Sequence, residues 1–411
     1  MGGQTARKSR PLSWRLLGLC GVGLLFDAME VGMLAFIFAA LAEDWGLAPN
    51  ITGLLGSVNF IGMAVGAALA GLLADRFGRR RLFVWTLMLY SLATGASALA
   101  GTVAVLLVLR VLAGMGLGGE LPVATTYVLE SAPESSRGRA VVYLNSFWAV
   151  GMLVAAFVSY FIIPAFGWQA GFLIGALPAL YAVYLRRRLP ETPAFRRQAV
   201  RPSLFGQVSR LWGTEFRRQT AVLWLLWFAA NFSYYGMFLW LPSVMVLKGY
   251  TLVRSFAYVL IMTLTQIPGY LSAAYLVERW GRKPTVVAYL LLAALSALGF
   301  GLSDSLGMLL AFGLALSFFN LGAWGAIYAY TSEQYPVRIR ATGTGWAAGF
   351  GRLGSIAAPY LVGLAIGAGV GFAWIFGAFF AVMVLGALVV AGFGRESRPV
   401  NAVKSGRRPP W

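Results

Sequence analysis

The sequence predicts an all-α polytopic membrane protein, with twelve transmembrane helices in two parallel six-helix pseudo-repeats and both termini cytoplasmic. Composition is the first observation behind this. Of 411 residues, 59% are hydrophobic and 11% charged, and the mean hydropathy is +0.74. Soluble domains run about 45–50% apolar and about 25% charged. The second observation is a series of apolar runs at regular spacing. The third is a pattern of charged motifs that occurs twice at one offset.

The runs, in order, cover residues 16–41, 51–74, 82–101, 103–124, 140–163, 168–185, 219–246, 255–277, 285–303, 306–330, 343–366 and 371–393. Crossing about 30 Å of hydrocarbon takes roughly 20 helical residues. Backbone polar groups in lipid must be satisfied within each span, so each run is expected as one helix. None alternates as a transmembrane strand does. The basic start (Arg7, Lys8, Arg10, Arg15) precedes the first run without a convincing small-residue cleavage pattern, so this run is expected to be retained.

Basic residues set the expected orientation. Nearly all Lys and Arg fall on the side that holds both termini, in the loops after the second, fourth, eighth and tenth spans and in the central linker. Lys248 and Arg254 fall on the other side, while Arg110 and Arg352 lie within spans. This asymmetry is the positive-inside pattern. It divides the chain into an N-terminal six-helix bundle (1–185), a basic cytoplasmic linker (186–218), a C-terminal six-helix bundle (219–394) and a basic, Pro-rich tail (395–411). The tail is expected to be disordered, and the linker to lie near anionic headgroups.

The two bundles repeat. Asp75-Arg76-Phe77-Gly78-Arg79-Arg80 ends the second span and Glu278-Arg279-Trp280-Gly281-Arg282-Lys283 the eighth, an offset of 203 from 75 to 278. Glu130, Pro133 and Arg137 match Glu333, Pro336 and Arg340 at the same offset, as Phe147 and Gly151 match Phe350 and Gly354. Six spans per repeat give both halves one orientation. Parallel repeats of this kind are a transporter architecture, with a site near mid-membrane.

These residues also carry a resemblance that covers essentially the whole chain. Gly71-Leu72-Leu73-Ala74-Asp75-Arg76-Phe77-Gly78-Arg79-Arg80 resembles the second-to-third loop signature of the major facilitator superfamily. Arg110 with Gly114, Gly116, Gly118 and Gly119 resembles its fourth-helix motif. Pro190-Glu191-Thr192-Pro193 and the two Glu-x-x-Pro-x-x-x-Arg loops are similar to the sugar-porter and metabolite–proton-symporter branches. Phe26-Asp27-Ala28-Met29-Glu30-Val31-Gly32, Gly119-Glu120-Leu121-Pro122 and Gly351-Arg352-Leu353-Gly354 look most like bacterial niacin transporters. Relatives usually carry Asp-x-x-Asp in the first helix, whereas the second acid here is Glu30.

The charges inside spans are the candidate functional groups. Arg352 lies about 18 Å into the eleventh span at 1.5 Å per residue, and a charge there costs at least about 2.5–3.5 kcal/mol. Its repeat partner is Ala149, so the scaffold needs no arginine. Arg352 either pairs internally with a spare carboxylate or forks onto a substrate carboxylate, and the resemblance favours the fork. Asp27 and Glu30 share one helix face at similar depth, with Ala230 and Ser233 as repeat partners. Two such acids cannot both stay charged cheaply, which makes a proton-coupling site. A structural pair with Arg352 or another basic group is the alternative. Glu120, near the inner end of the fourth span, is a third proton-coupling candidate, with structural pairing as the equal alternative. Arg110 is open between a structural and a coupling role.

Asn231, Tyr234, Tyr235, Trp148, Asn145, Gln266, Asn320 and Trp324 are midspan groups that could stack on and orient an aromatic substrate. Asp75, Arg79, Glu278, Arg282, Glu130, Arg137, Glu333 and Arg340 recur in both halves and are expected to hold and release the cytoplasmic gate.

The expected function is therefore proton-coupled symport of a small organic, aromatic carboxylate such as nicotinate, by alternating access in the plasma membrane. Rivals on the same scaffold are a proton-driven exporter or a sugar or organic-cation carrier. A receptor-like protein without turnover is a rival of another class. An enzyme is not expected: there is no histidine, one cysteine (Cys20) and no phosphate-binding loop. No cofactor is expected beyond the proton gradient, nor a metal. Partners are the organic acid and the bilayer. The +19 charge sits between apolar spans, so nucleic acid is not expected as a partner, and a monomer is expected.

Overall fold

The computed structural model describes residues 14–77, 79–131, 137–188, 211–336 and 339–396. Asp75, Arg79, Glu130, Arg137 and Asn145 were named from the sequence, and their side chains lie outside the described residues. The described regular structure is helical. In order the helices are α1 (Trp14–Trp45), α2 (Pro49–Phe77), α3 (Arg79–Ser97), α4 (Val103–Ser131), α5 (Arg137–Phe166), α6 (Trp168–Ile174) and α7 (Pro178–Arg188). They continue as α8 (Arg217–Phe238), α9 (Leu241–Leu247), α10 (Leu252–Leu264), α11 (Gln266–Arg279), α12 (Arg282–Leu302), α13 (Leu306–Glu333), α14 (Arg340–Gly367) and α15 (Phe372–Phe393).

Among the described residues, eleven helical stretches are long and apolar enough to cross a membrane. The remaining expected span is α3, which has 19 residues and opens with three arginines. Three spans expected as single helices are interrupted: the sixth between α6 and α7, the seventh between α8 and α9, and the eighth at Thr265. Each break precedes a proline, at Pro178, Pro242 and Pro268. Proline brings no N–H to the carbonyl four residues back, so the ladder is weakest there. Pro164 and Pro359 lie inside α5 and α14 without ending them.

The chain forms two compact units, Met1–Ile37 with Val58–Val200, and Phe38–Ser57 with Arg201–Trp411. In the first, α3 packs along α4 and against α7. In the second, α8 packs along α14, α12 along α15 and α13, and α11 along α13. Its core includes Leu226, Tyr289, Ile327 and Tyr330. Residues 38–57 join this second unit: Gly53 lies against Pro359, Gly56 against Leu239, and Gly363 against Pro49 and Trp240.

Close helix approaches repeat at the offset read from the motifs. A side chain at Gly66 would strike the Met115 carbonyl, and one at Gly269 the Phe318 carbonyl. Gly151 lies against the Leu25 carbonyl, and Gly354 against that of Phe228. All four pairs differ by 203. The absent Cβ lets backbones approach, which is how membrane helices pack without a hydrophobic driving force.

Candidate functional site

The first unit holds a buried polar cluster. Asp27 and Glu30 lie on α1, Thr94 and Ser97 at the end of α3, and Arg110 and Glu120 on α4. The Arg110 guanidinium meets the Glu30 carboxylate at 2.8 Å, both side chains wholly buried. Thr94 Oγ1 donates to the same Glu30 oxygen at 2.7 Å. Arg110 Nη2 donates to Ser97 Oγ at 2.8 Å and to Thr94 Oγ1 at 3.2 Å. Phe172 on α6 lies under the guanidinium, 4.7 Å from centroid to Cζ. Of the roles left open, Arg110 is thus placed as the partner of Glu30. A buried pair of this kind is costly to break from one side, at about 3–5 kcal/mol.

Asp27 points elsewhere. Its carboxyl meets that of Glu120 within hydrogen-bonding reach, and both residues are buried. Neither Glu120 oxygen meets a donor among the described residues. Gly23 makes the room, since a Cβ there would lie 2.6 Å from Glu120 Oε1. Ionised carboxyls only accept hydrogen bonds, so a proton held between the two would supply the donor that Glu120 lacks. Trp148 is half-buried on α5 of this unit.

The second unit holds a separate cluster with one cation and many rings. Arg352, on α14, is half-buried. It lies near Tyr235 of α8 and Tyr328 of α13, and Tyr328 also lies near Tyr235 and Tyr270. Tyr234 stacks edge-on with Tyr235 at 5.1 Å and with Trp324 at 5.9 Å between centroids. Trp227 meets Trp324 at 5.5 Å and Tyr328 at 5.0 Å, and is held by its own N–H bond to Thr331 Oγ1 at 2.9 Å.

The candidate polar groups of this unit divide in two. Asn231 spends its amide nitrogen on the Trp227 carbonyl at 2.8 Å. Gln266 Nε2 and Oε1, Asn320 Nδ2 and Trp324 Nε1 are buried without a hydrogen-bond partner among the described residues. Each such group costs about 1–3 kcal/mol. Tyr270 and Tyr328 were missed by sequence reasoning. A signal existed: Tyr270 stands four residues after Gln266, and Asn320, Trp324 and Tyr328 form an i, i+4, i+8 stripe.

At one end of the second unit, Arg282 pairs with Glu333 at 3.0 Å, and Arg340 Nε donates to the Tyr335 carbonyl at 3.4 Å. Glu278 is exposed. Of the basic tail, 397–411 lie outside the described residues, while Arg395 and Glu396 are described and make contacts. Glu396 accepts from the backbone N–H groups of Arg282 at 2.9 Å and Lys283 at 3.1 Å. Gly281, at φ 108°, has no capping side chain of its own, so Glu396 caps α12 from a distance. Gln334 Nε2 also donates to the Arg395 carbonyl at 3.0 Å.

The model of the Major Facilitator Superfamily matches residues 20–273 and 257–411. The chain belongs to the major facilitator superfamily. It is 47% identical to the niacin transporter NiaP of Acinetobacter baylyi, over 94% of each chain. It is 52% identical to a Bacillus subtilis protein provisionally named niacin/nicotinamide transporter NiaP, over 95% of this chain and 98% of that one. The crystal structure of a D-xylose-proton symporter superimposes with a TM-score of 0.77 at 21% identity, covering 94% of this chain and 98% of that one. The superfamily member described here is thus a multi-pass membrane transporter of small molecules and not an enzyme.

Proposed function

We propose that this transporter carries a small aromatic carboxylate, with nicotinate the leading member, by proton-coupled symport and alternating access in the plasma membrane. The observation that carries the reading is the near-full-length likeness to niacin transporters. The Arg352–tyrosine cluster supports it chemically. A guanidinium forks onto a carboxylate, and the surrounding rings offer faces and edges to an aromatic acid. A bare anion is costly at such depth, and a fixed cation offsets that cost.

Protons enter through the first unit. Three acids stand against one guanidinium there. Glu30 is neutralised by Arg110, which leaves the Asp27–Glu120 pair as the group that gains most from a proton. Loading that pair together with the anion at Arg352 keeps the transported set electrically compensated. Rocking of the halves then exposes it to the other side.

Labelled nicotinate uptake into proteoliposomes tests this, with and without an inward proton gradient. Accumulation that follows the gradient and collapses with a protonophore is expected. Uptake indifferent to the gradient would remove the coupling, and no nicotinate uptake at all would remove the substrate assignment.

A further inference from the structure

We infer that Gln266 and Asn320 determine specificity: their amides hydrogen-bond a ring heteroatom and select an N-heteroaromatic carboxylate over a benzenoid one. The inference rests on the aromatic-carboxylate reading and goes beyond it, because that reading alone does not separate a pyridine ring from a benzene ring.

The argument comes from comparing one half of the chain with the other. Gly66 on Met115 and Gly269 on Phe318 show α2–α4 and α11–α13 packed alike. At the same offset Gln266 corresponds to Met63 and Asn320 to Leu117. Each pair is close to isosteric. Met63 is 3% exposed and Gln266 1%; Leu117 is 2% exposed and Asn320 4%. The scaffold therefore fills these positions with apolar side chains of the same length where only packing is at stake.

In the second unit both are amides, and both leave buried polar atoms unpartnered among the described residues: Gln266 at Nε2 and Oε1, Asn320 at Nδ2. A native structure rarely leaves such groups idle, so they call for a partner from outside the fold. Their neighbours on the same helices say which. Tyr270 stands one turn from Gln266, and Trp324 and Tyr328 stand one and two turns from Asn320. Tyr328 lies near both Tyr270 and Arg352. A ligand with its carboxylate at Arg352 and its ring among these tyrosines would offer its far edge to the amides. A pyridine nitrogen accepts a hydrogen bond there, and a benzene C–H does not. Sites built to hydrogen-bond a group reject analogues that lack it far more strongly than apolar pockets reject a missing methylene.

The test uses the residues that the first half already employs, Gln266→Met and Asn320→Leu, in the full-length protein in proteoliposomes. Nicotinate and benzoate uptake are measured in parallel, with thermal unfolding in detergent alongside. The wild type is expected to prefer nicotinate by about tenfold or more. Each variant is expected to lose most of that preference through a higher KM for nicotinate, with benzoate uptake held and the unfolding midpoint equal or higher. A nicotinate-to-benzoate ratio unchanged in both variants would overturn the inference while leaving the transport reading intact. A lowered midpoint with an unchanged ratio would assign the amides to the fold. A wild type that takes up neither acid would remove the transport reading and this inference with it.

Discussion

Arg352 and Arg110 are both midspan arginines, yet they sit in opposite circumstances. Arg110 is wholly buried and bonded to Glu30, Thr94 and Ser97. Arg352 is half-buried among tyrosines. Arg110→Ala is therefore expected to destabilise the protein by about 3–5 kcal/mol, because Glu30 is left buried and unpaired; thermal unfolding in detergent measures it. Arg352→Ala is expected to abolish uptake of the acid, because the fork that receives the substrate carboxylate is gone. Arg352→Lys should recover only part of it, since an ammonium is a point charge without the planar fork. Asp27→Asn and Glu120→Gln each place a permanent donor between the two carboxyl positions. Both variants are expected to keep nicotinate exchange across the membrane while losing accumulation driven by a pH difference. Retained pH-driven accumulation in both would move the proton elsewhere.

At the scale of elements, the prolines and glycines govern local geometry. Pro178, Pro242 and Pro268 cut three spans into pieces, and the last cut puts Gln266 in the first turn of α11. Gly281 turns the chain at φ 108° into α12 and leaves its first N–H groups to Glu396. Glu396→Ala is expected to cost about 0.5–2 kcal/mol, the range for losing a helix cap, seen as a lower unfolding midpoint; Glu396→Asp, with a shorter reach, should recover only part of it. Gly151 and Gly354 occupy matched positions at close helix crossings. Replacing either by valine should push α5 from α1, or α14 from α8, and reduce the folded yield in the membrane.

At the scale of the molecule, one scaffold was duplicated and its halves then diverged in chemistry. The acids and their arginine lie in the first unit, where the second has Ala230, Ser233, Gly313 and Ala323 at the repeat positions. The Arg352–aromatic–amide cluster lies in the second unit, where the first has Ala149, Met63 and Leu117. This division predicts separable phenotypes: changes at Gln266 or Asn320 should alter selectivity, and changes at Asp27 or Glu120 should alter energy coupling. Orientation is a further whole-molecule property. The basic loops predict that both termini share the cytoplasmic side. Cys20 is wholly buried, so a Cys20→Ser background with single cysteines placed beside Arg80 or Lys283 should label only from that side.

Spans, the duplication and the list of midspan charges were all legible in the sequence, because each rests on local facts: an apolar run, a proline, a motif that recurs. Asp27 and Glu30 could be placed on one face of one helix by their spacing alone. Which of them would meet Arg110 could not. That depends on how α1, α3 and α4 rotate against one another, and the bond joins residues 80 apart in sequence. The same limit hid the reach of Glu396 to the start of α12, whereas Tyr270 and Tyr328 were within reach of spacing alone, one turn from Gln266 and Trp324. Spacing along one helix shows which side chains stand together on it. Packing between helices, set by glycine contacts and proline breaks, decides which of them find a partner and which remain open to a ligand.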